Sequence, residues 1–337
     1  MKVLLFDTTP AYLSNGGKTT HAVKLCAALR KKSIDAQFAE WWNADQADVD
    51  IIHSLTPFMG HDIDIAKAKG IKTVLTLIMD VQTNLPIMQQ NKQILRERAV
   101  NMLPYKFASK FSVNPILGKF DKITFMHEYD RRTGLKYYPN IDTHKTVIIP
   151  HAYDAKEFGV GGDNIQKFNL PEKYIISCAN ISRRKQSVEC AKLCKEAKTP
   201  VVFIGGNSCD AYFEEFKKLV DNKYVYYLGF VSSEDKDLLH RYASGFILLS
   251  LGESGCMSVF DAAAYGLPLL LSNLPWAWGY QDPKSIYFCD FNNKNKAIKQ
   301  IISFFRTTKR NDFASFNVKT WDQIADEYIQ VYKDCLK

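Results

Sequence analysis

The sequence lacks the features that would place a protein in a membrane or mark it for export. It has no apolar run approaching the roughly 18 residues that a membrane-spanning helix needs. The apolar run at its start ends before Asp7, and we expect no signal peptide because this run is too short for one. The sequence also has no internal repeat, low-complexity tract or flexible linker. These absences favour a globular protein.

Metal and disulfide signatures are missing as well. The eight cysteines include no CxxC pair and no Cys/His spacing of the kind that binds a metal. Most of them fall inside predicted strands or helices, which suits buried and reduced thiols. We therefore expect a cytoplasmic protein, either free or peripheral at a membrane surface, with no metal site.

Positive charge is concentrated in the first half of the chain. Residues 1–150 contain 20 Lys and Arg against 14 Asp and Glu, whereas residues 151–337 contain 24 against 22. A basic half suggests an anionic partner such as a membrane surface, a lipid phosphate or a nucleic acid. A modest excess of this size is equally compatible with solubility alone.

The order of predicted strands and helices indicates two α/β domains. A chain of 337 residues is long enough for two domains of usual size. Strands alternate with helices in both halves, which predicts parallel, doubly wound sheets of the Rossmann type. We place the domains at 1–155 and 156–337, with the ligand cleft between them. The final helix either stays with the second domain or packs back on the first.

Residues 245–273 contain two carboxylates in a strand–loop–helix–strand unit. Glu253 lies in the loop after an apolar strand, and Asp261 is expected in the first turn of the next helix. Ligands bind at the carboxyl ends of such strands, and a helix N-terminus suits a phosphate. Carboxylates would repel phosphate, so sugar or ribose hydroxyls are their natural partners. Alternatively, Ser258-x-x-Asp261 is a helix capping box.

A cation-rich loop follows the first predicted strand of the second half. It contains Asn180, Arg183, Arg184 and Lys185. Three cations at the end of a strand would bind the diphosphate of a nucleotide sugar and neutralise the charge on the departing nucleoside diphosphate. A solvated basic loop without a ligand is the simpler alternative.

A glycine pair, Gly16 and Gly17, separates the first predicted strand from the first helix. Glycines there expose backbone N–H groups to a ligand. Gly17-Lys18-Thr19 matches the end of a P-loop, but Tyr12 stands where the P-loop needs its first glycine. A P-loop ATPase and a plain turn both remain alternatives to a phosphate site.

Two acids flanking seven residues, together with the glycine pair and the basic loop, resemble the retaining GT-B glycosyltransferases of family four. This group includes glycogen synthase and phosphatidylinositol mannosyltransferases. The resemblance implies two Rossmann-like domains, with acceptor binding in the first and nucleotide-sugar binding in the second. It implies catalytic roles for Glu253 and Lys185. It places Gly16 and Gly17 against the acceptor or donor phosphate. The other ligand-binding residues that we expect are Asn180, Arg183, Arg184, Lys185, Gly229, Gly255, Cys256, Met257, Ser258 and Asp261, with Arg183 or Arg184 reaching the phosphates in place of the family's Arg.

The sequence departs from the family pattern at three places. Asn180 stands where the family has Arg, and Asp261 stands where it usually has Glu. The strand ending at Thr76 is not followed by the usual His near the reacting carbon, and Asp80 or His127 is the candidate replacement.

The function implied by the resemblance is a hexosyl or pentosyl transfer from a nucleotide-diphosphate sugar, with retention of configuration. The acceptor would be a glycan, a lipid-linked molecule or another hydroxyl compound. We expect no cofactor and no required metal, because the Asp-x-Asp matches at 48–50 and 62–64 only introduce a strand and a helix. A DNA-modifying glycosyltransferase and a non-catalytic nucleotide-sugar-binding protein remain alternatives, as nucleic acid would suit the basic half.

Overall fold

The computed structural model describes residues 1–8, 16–40, 42–58, 60–83, 85–153, 164–280, 285–310 and 318–337, without the side chains of 80 and 81. Contacts between residues divide the chain into two compact units. The first is Met1–Ala152 with Lys319–Lys337, and the second is Tyr153–Val318. The sequence-based division at residue 155 lies three residues later along the chain than this one.

The first unit is built on a six-stranded sheet. Its strands are β1 Lys2–Phe6, β2 Asp35–Phe38, β3 Ile51–Ser54, β4 Lys72–Thr76, β5 Lys122–Phe125 and β6 Thr146–Ile148. The order is β2-β1-β3-β4-β5-β6, with all neighbours parallel. The chain reverses its direction of travel across the sheet between β1 and β3, as in a doubly wound fold.

In the described part of this unit, seven helices connect these strands. They are α1 Gly17–Lys31, α2 Gly60–Ala68, α3 Asp80–Thr83, α4 Ile87–Asn101, α5 Tyr105–Phe111, α6 Asn114–Leu117 and α7 Glu128–Tyr137. A two-residue strand, β7 Ala152–Tyr153, follows β6. Helix α1 buries Leu25, Cys26 and Leu29 along one face, which is the spacing expected of a helix packed on a sheet.

The second unit is also built on a six-stranded parallel sheet. Its strands are β8 Ile175–Cys178, β9 Val201–Ile204, β10 Val225–Tyr227, β11 Gly245–Leu248, β12 Leu269–Ser272 and β13 Ile286–Cys289. The order is β10-β9-β8-β11-β12-β13. Its helices are α8 Ser187–Glu196, α9 Ala211–Lys217, α10 Ser233–Tyr242, α11 Met257–Ala264 and α12 Lys294–Thr307. The two parallel sheets with connecting helices confirm the predicted α/β class and its Rossmann-like domains.

The chain ends with a strand and a helix that belong to the first unit, β14 Lys319–Thr320 and α13 Trp321–Leu336. A capping box starts the helix, because Thr320 accepts from the backbone of Gln323 while the Gln323 side chain accepts from Thr320 N–H. Helix α13 packs against α1 and buries an apolar face that includes Ile324, Tyr328 and Tyr332.

Buried histidines hold α13 to the first sheet. His53 on β3 shares hydrogen bonds with the Tyr332 hydroxyl at 2.7 Å and with Thr76 at 2.8 Å. His21 on α1 lies 3.2 Å from His151 between their Nδ1 atoms. Burial lowers the pKa of His21 to about 4 and that of His53 to about 3. These histidines are therefore neutral core residues of the first unit.

Among the described residues, no helix has both the length and the hydropathy needed to cross a bilayer.

Candidate active site

The candidate site lies where two neighbouring strands of the second sheet end. Strand β8 pairs with β11, and the sheet order changes direction between them. The loop after β8 contains the predicted cations, and the loop after β11 contains Glu253. In open α/β sheets this position, the topological switch point, forms a ligand-binding crevice.

The structure brings Lys185, Arg184 and Glu253 into direct contact. Lys185 Nζ donates to Glu253 Oε1 at 2.6 Å, and Arg184 Nη1 donates to Glu253 Oε2 at 3.0 Å. The Ser250 hydroxyl also donates to Oε1. The side chains of Glu253 and Lys185 are only 6% and 12% exposed, so this is a buried ion cluster with charge-assisted hydrogen bonds.

Backbone contacts hold the two loops together. The Arg184 carbonyl accepts from Leu251 N–H at 2.9 Å, and Ser250 Oγ lies 3.1 Å from the same carbonyl. The Ser250 carbonyl in turn accepts from Ser272 at 2.6 Å and from the Trp276 indole N–H at 3.0 Å. The position of Glu253 relative to the cations is therefore fixed by contacts from β8, β11 and β12.

The ion cluster keeps Glu253 and Lys185 charged despite their burial. Burial raises the pKa of Glu253, but the positive charges of Lys185 and Arg184 lower it by more, and the net shift is downward. Burial lowers the pKa of Lys185, but Cys256 and Glu253 raise it by more. Near neutral pH the cluster therefore contains one carboxylate and two cations.

Asp261 forms a second ion pair with Lys236. Lys236 Nζ donates to Asp261 Oδ2, and the pKa of Lys236 is raised because Cys178 and Asp261 outweigh the effect of its burial. Burial raises the pKa of Cys178 at the end of β8. The charges of four neighbouring side chains also act on this thiol, namely Lys236, Asp261, Cys256 and Lys185. Both ion pairs therefore lie near the end of that strand.

Asp261 is not where the sequence placed it along its helix. The N-cap of α11 is Cys256, and no acid lies in the first turn. Asp261 is the fifth residue of the helix, so Ser258 and Asp261 cannot form the capping box considered from the sequence. The prediction of a first-turn carboxylate was wrong, and the contact with Lys236 accounts for the position of the side chain.

The other predicted residues of the cation loop have separate contacts. Arg183 places its guanidinium 4.9 Å from the centre of the Tyr212 ring. Asn180 Oδ1 accepts from Gly206 N–H at 3.2 Å. A side chain at Gly205 would meet the Ala179 carbonyl at 2.3 Å, and its φ is +140°, so only glycine lets β9 approach this loop so closely.

The residues around the start of α11 line the same sheet edge. Gly255 has a φ of +62° and directs the loop into the helix. Cys256 N–H donates to the Tyr280 hydroxyl at 3.1 Å, and Cys256 Sγ lies 4.0 Å from Lys185 Nζ and 3.2 Å from Ser258 Oγ. The Cys256 amide is thus already engaged within the protein. Met257 is the first residue of α11.

Gly229 lies after β10, the edge strand two positions away from β8 in the sheet. Its carbonyl accepts from Gly205 N–H at 2.9 Å, and no described contact links it to the ion cluster.

The first-unit candidates have local structural contacts. Gly16 is the N-cap of α1, whose first residue is Gly17, and the neighbouring Lys18 donates to Asp7 at 2.8 Å. His127 is the N-cap of α7, where its Nδ1 accepts from Tyr129 N–H at 3.1 Å. Asp80 is the first residue of α3, and its side chain lies outside the described residues. Their catalytic and binding roles stay predictions.

Sequence reasoning missed Lys236 and Ser250. Lys236 lies 25 residues before Asp261, and no spacing rule links residues on α10 and α11. Ser250 lies two residues after the apolar strand β11. A polar residue at the carboxyl end of a buried strand was the sequence signal that could have identified it. Within the described ranges, no group of three or more His, Cys, Asp or Glu side chains is placed to hold a metal ion.

Comparison with known proteins relates this chain to glycosyltransferases. Residues 163–320 match the family described as Glycosyl transferases group 1. The structure is similar to sucrose-phosphate synthase from Thermosynechococcus elongatus, with a TM-score of 0.73 and 13% identity over 99% of this chain and 98% of that chain. A glycosyltransferase from Rickettsia africae gives a TM-score of 0.70 and 15% identity over 100% and 98%.

A third similar structure is the pneumococcal O-GlcNAc transferase in complex with UDP and GlcNAc, at a TM-score of 0.59 and 12% identity over 94% of this chain and 60% of that chain. No curated protein matches this sequence. The family match over residues 163–320 and the fold shared with these structures support a GT-B glycosyltransferase. The matched residues lie almost wholly in the second unit and include both loops of the candidate site.

Proposed function

We propose that this glycosyltransferase moves a sugar from a nucleotide-diphosphate sugar to a glycan or another hydroxyl-bearing acceptor, with retention of configuration at the anomeric carbon. The observation that carries the proposal is the convergence of Lys185 and Arg184 on Glu253 at the switch point of the second sheet. Cations suited to a diphosphate and a carboxylate suited to sugar hydroxyls are thereby placed at one ligand-binding edge.

Lys185 and Arg184 would bind the donor diphosphate. Arg184 is the more accessible of the two, with a side chain that is one-third exposed, and its guanidinium suits bidentate contacts with phosphate. Lys185 lies deeper and would stabilise the negative charge that develops on the diphosphate as its bond to the sugar breaks. The positive charge of these residues is the reason for proposing that no metal is required.

Glu253 would bind the transferred sugar through Oε2. Its Oε1 accepts from both Lys185 and Ser250, whereas Oε2 accepts from Arg184. Since a carboxylate oxygen accepts about two hydrogen bonds, Oε2 is the oxygen with capacity left for a hydroxyl. Asp261 would bind the ribose in the same way, with Lys236 on its Oδ2.

The Lys185→Met variant tests this proposal once a donor has been found by a thermal-shift screen of nucleotide sugars, in which binding stabilises the native state. The substitution keeps the volume of the side chain and leaves Glu253 with Arg184, so the fold should persist. We expect kcat to fall by about 100-fold or more, on the scale of losing one transition-state donor. The control is Lys192→Met, which removes an exposed cation paired with Glu215.

Near-normal turnover by Lys185→Met would contradict the role of this lysine. Proton NMR of the first-formed product tests retention, and an inverted anomer would refute that part. The same assay in EDTA tests metal independence, since a loss of activity that manganese restores would count against it. Donor hydrolysis without any transfer would favour a different acceptor. The absence of both hydrolysis and transfer would favour a binding protein without catalytic activity.

A further inference from the structure

Helix α4 exposes an apolar stripe that its own unit leaves uncovered. Met88, Leu95 and Met102 are 83%, 66% and 87% exposed. They are spaced by seven residues, which places them on one face of a helix, and Met102 is the C-cap of α4. The opposite face supplies Ile94, which packs against the core of the first unit. The helix is therefore anchored on one side and apolar on the other.

Helix α5 continues this surface with aromatic side chains. Phe107 and Phe111 are four residues apart and both more than half exposed, whereas Ala108 is buried. Leu103, between the two helices, is also exposed. Single exposed apolar residues are ordinary, but a run of them over two consecutive helices marks an interaction surface.

Cations accompany these apolar side chains. Between residues 87 and 113 there are five basic residues and one acid. The basic residues are Lys92, Arg96, Arg98, Lys106 and Lys110. The acid, Glu97, accepts from the Ser112 hydroxyl within the protein. The surface is therefore positive as well as apolar.

We propose that the outward surface of α4 and α5, residues 87–113, docks onto an anionic lipid bilayer. Helices that lie in a membrane interface combine an apolar face of Leu, Met and Phe with flanking Lys and Arg. The cations would contact lipid phosphates while the apolar side chains enter the boundary with the acyl chains. A second copy of the chain would bring the same positive charge to this surface, which opposes self-association.

Nucleic acid is the other anionic partner, and it explains less. Phosphates would attract the five cations, but they give no reason for the six exposed apolar side chains named above. The apolar residues are therefore the part of the surface that separates the two partners. The proposal concerns the first unit alone and does not depend on the donor site.

Co-sedimentation with vesicles tests the proposal. The vesicles are phosphatidylcholine alone and phosphatidylcholine mixed with phosphatidylglycerol, and the protein is the full chain. We expect binding to the mixed vesicles at least tenfold stronger than to the neutral ones. Lys106→Gln with Lys110→Gln should weaken it about 25-fold, since each cation near an anionic surface contributes roughly fivefold.

The variant Met88→Gln with Leu95→Gln should also weaken vesicle binding at least tenfold while the melting temperature stays unchanged, because both side chains face solvent. Tyr242→Gln and Lys192→Gln remove an exposed apolar group and an exposed cation from the second unit and should have no effect. The proposal is overturned if the protein ignores both vesicle types or if the apolar variant binds normally. Binding to duplex DNA that survives the apolar change, or a dimer that this change dissociates, would also overturn it.

Discussion

Replacing Glu253 by Gln separates two possible roles of this buried carboxylate. If Glu253 only holds Lys185 and Arg184 in place, the change affects diphosphate binding. If it binds sugar hydroxyls through Oε2, the change affects the nucleotide sugar and spares the nucleoside diphosphate. The two ligands differ only in the sugar, so the ratio of their dissociation constants reports on the second role.

The expected size follows from the contacts of the carboxylate. A hydrogen bond to a charged group contributes about 1.5–3 kcal/mol, which corresponds to roughly 10- to 150-fold in the dissociation constant. We expect nucleotide-sugar affinity to fall by this factor in Glu253→Gln. Affinity for the nucleoside diphosphate should stay the same or increase, because a negative charge beside Lys185 and Arg184 has been removed.

Calorimetric titration of both ligands measures the two constants, and melting curves show whether the variant is folded. Breaking a buried ion pair costs about 3–5 kcal/mol, so a lower melting temperature is expected alongside. The matched control is Glu215→Gln, an exposed acid paired with Lys192 at 2.7 Å, which should change neither constant. Equal losses for both ligands in a folded Glu253→Gln protein would refute the sugar-binding role.

Two further predictions concern other ionisable side chains. Asp261→Asn should weaken nucleoside diphosphate and nucleotide sugar by the same factor, about tenfold for a charged hydrogen bond to the shared ribose; calorimetry showing a loss for the nucleotide sugar alone would contradict it. His21 and His53 have pKa values of about 4 and about 3 in the folded protein, against about 6.5 in the unfolded chain. They therefore bind protons more weakly in the folded state. Their contribution to stability is therefore complete above pH 6.5 and falls by roughly 2 kcal/mol each by pH 5. Melting temperatures that stay constant between pH 7 and pH 5 would contradict this, and His53→Gln should flatten the profile.

The parallel sheets could be predicted because buried strands have a plain sequence pattern. Strands such as β9 and β12 are buried along their whole length and read as continuous apolar runs between helices. Strand β13 and helix α12 were not recognised. The edge strand β13 is half exposed, which weakens its pattern. Helix α12, however, has an Asn293 cap and buries Ala297, Ile301 and Phe304, a helical spacing that the sequence did contain.

The candidate site was predictable in its residue types but not in its pairings. That Lys185 and Glu253 face one edge follows from the rule that parallel strands end together. Their direct contact depends on the loop backbone, which Leu251 fixes by donating its N–H to the Arg184 carbonyl. No periodicity encodes such long-range contacts. The same limit explains the wrong placement of Asp261, since the start of α11 is set by the loop before it.

The two ion pairs resolve a conflict in the sequence, namely that carboxylates beside a diphosphate would repel it. Each carboxylate is matched by at least one cation within hydrogen-bonding distance. In these ion pairs three cations, Lys185, Arg184 and Lys236, stand against two carboxylates, Glu253 and Asp261. One positive charge therefore remains in excess. When the bond to the sugar breaks, the departing diphosphate becomes more negative, and an excess of fixed cations then stabilises the transition state more than the bound donor. The carboxylates can therefore bind hydroxyls at this edge without weakening its attraction for phosphate.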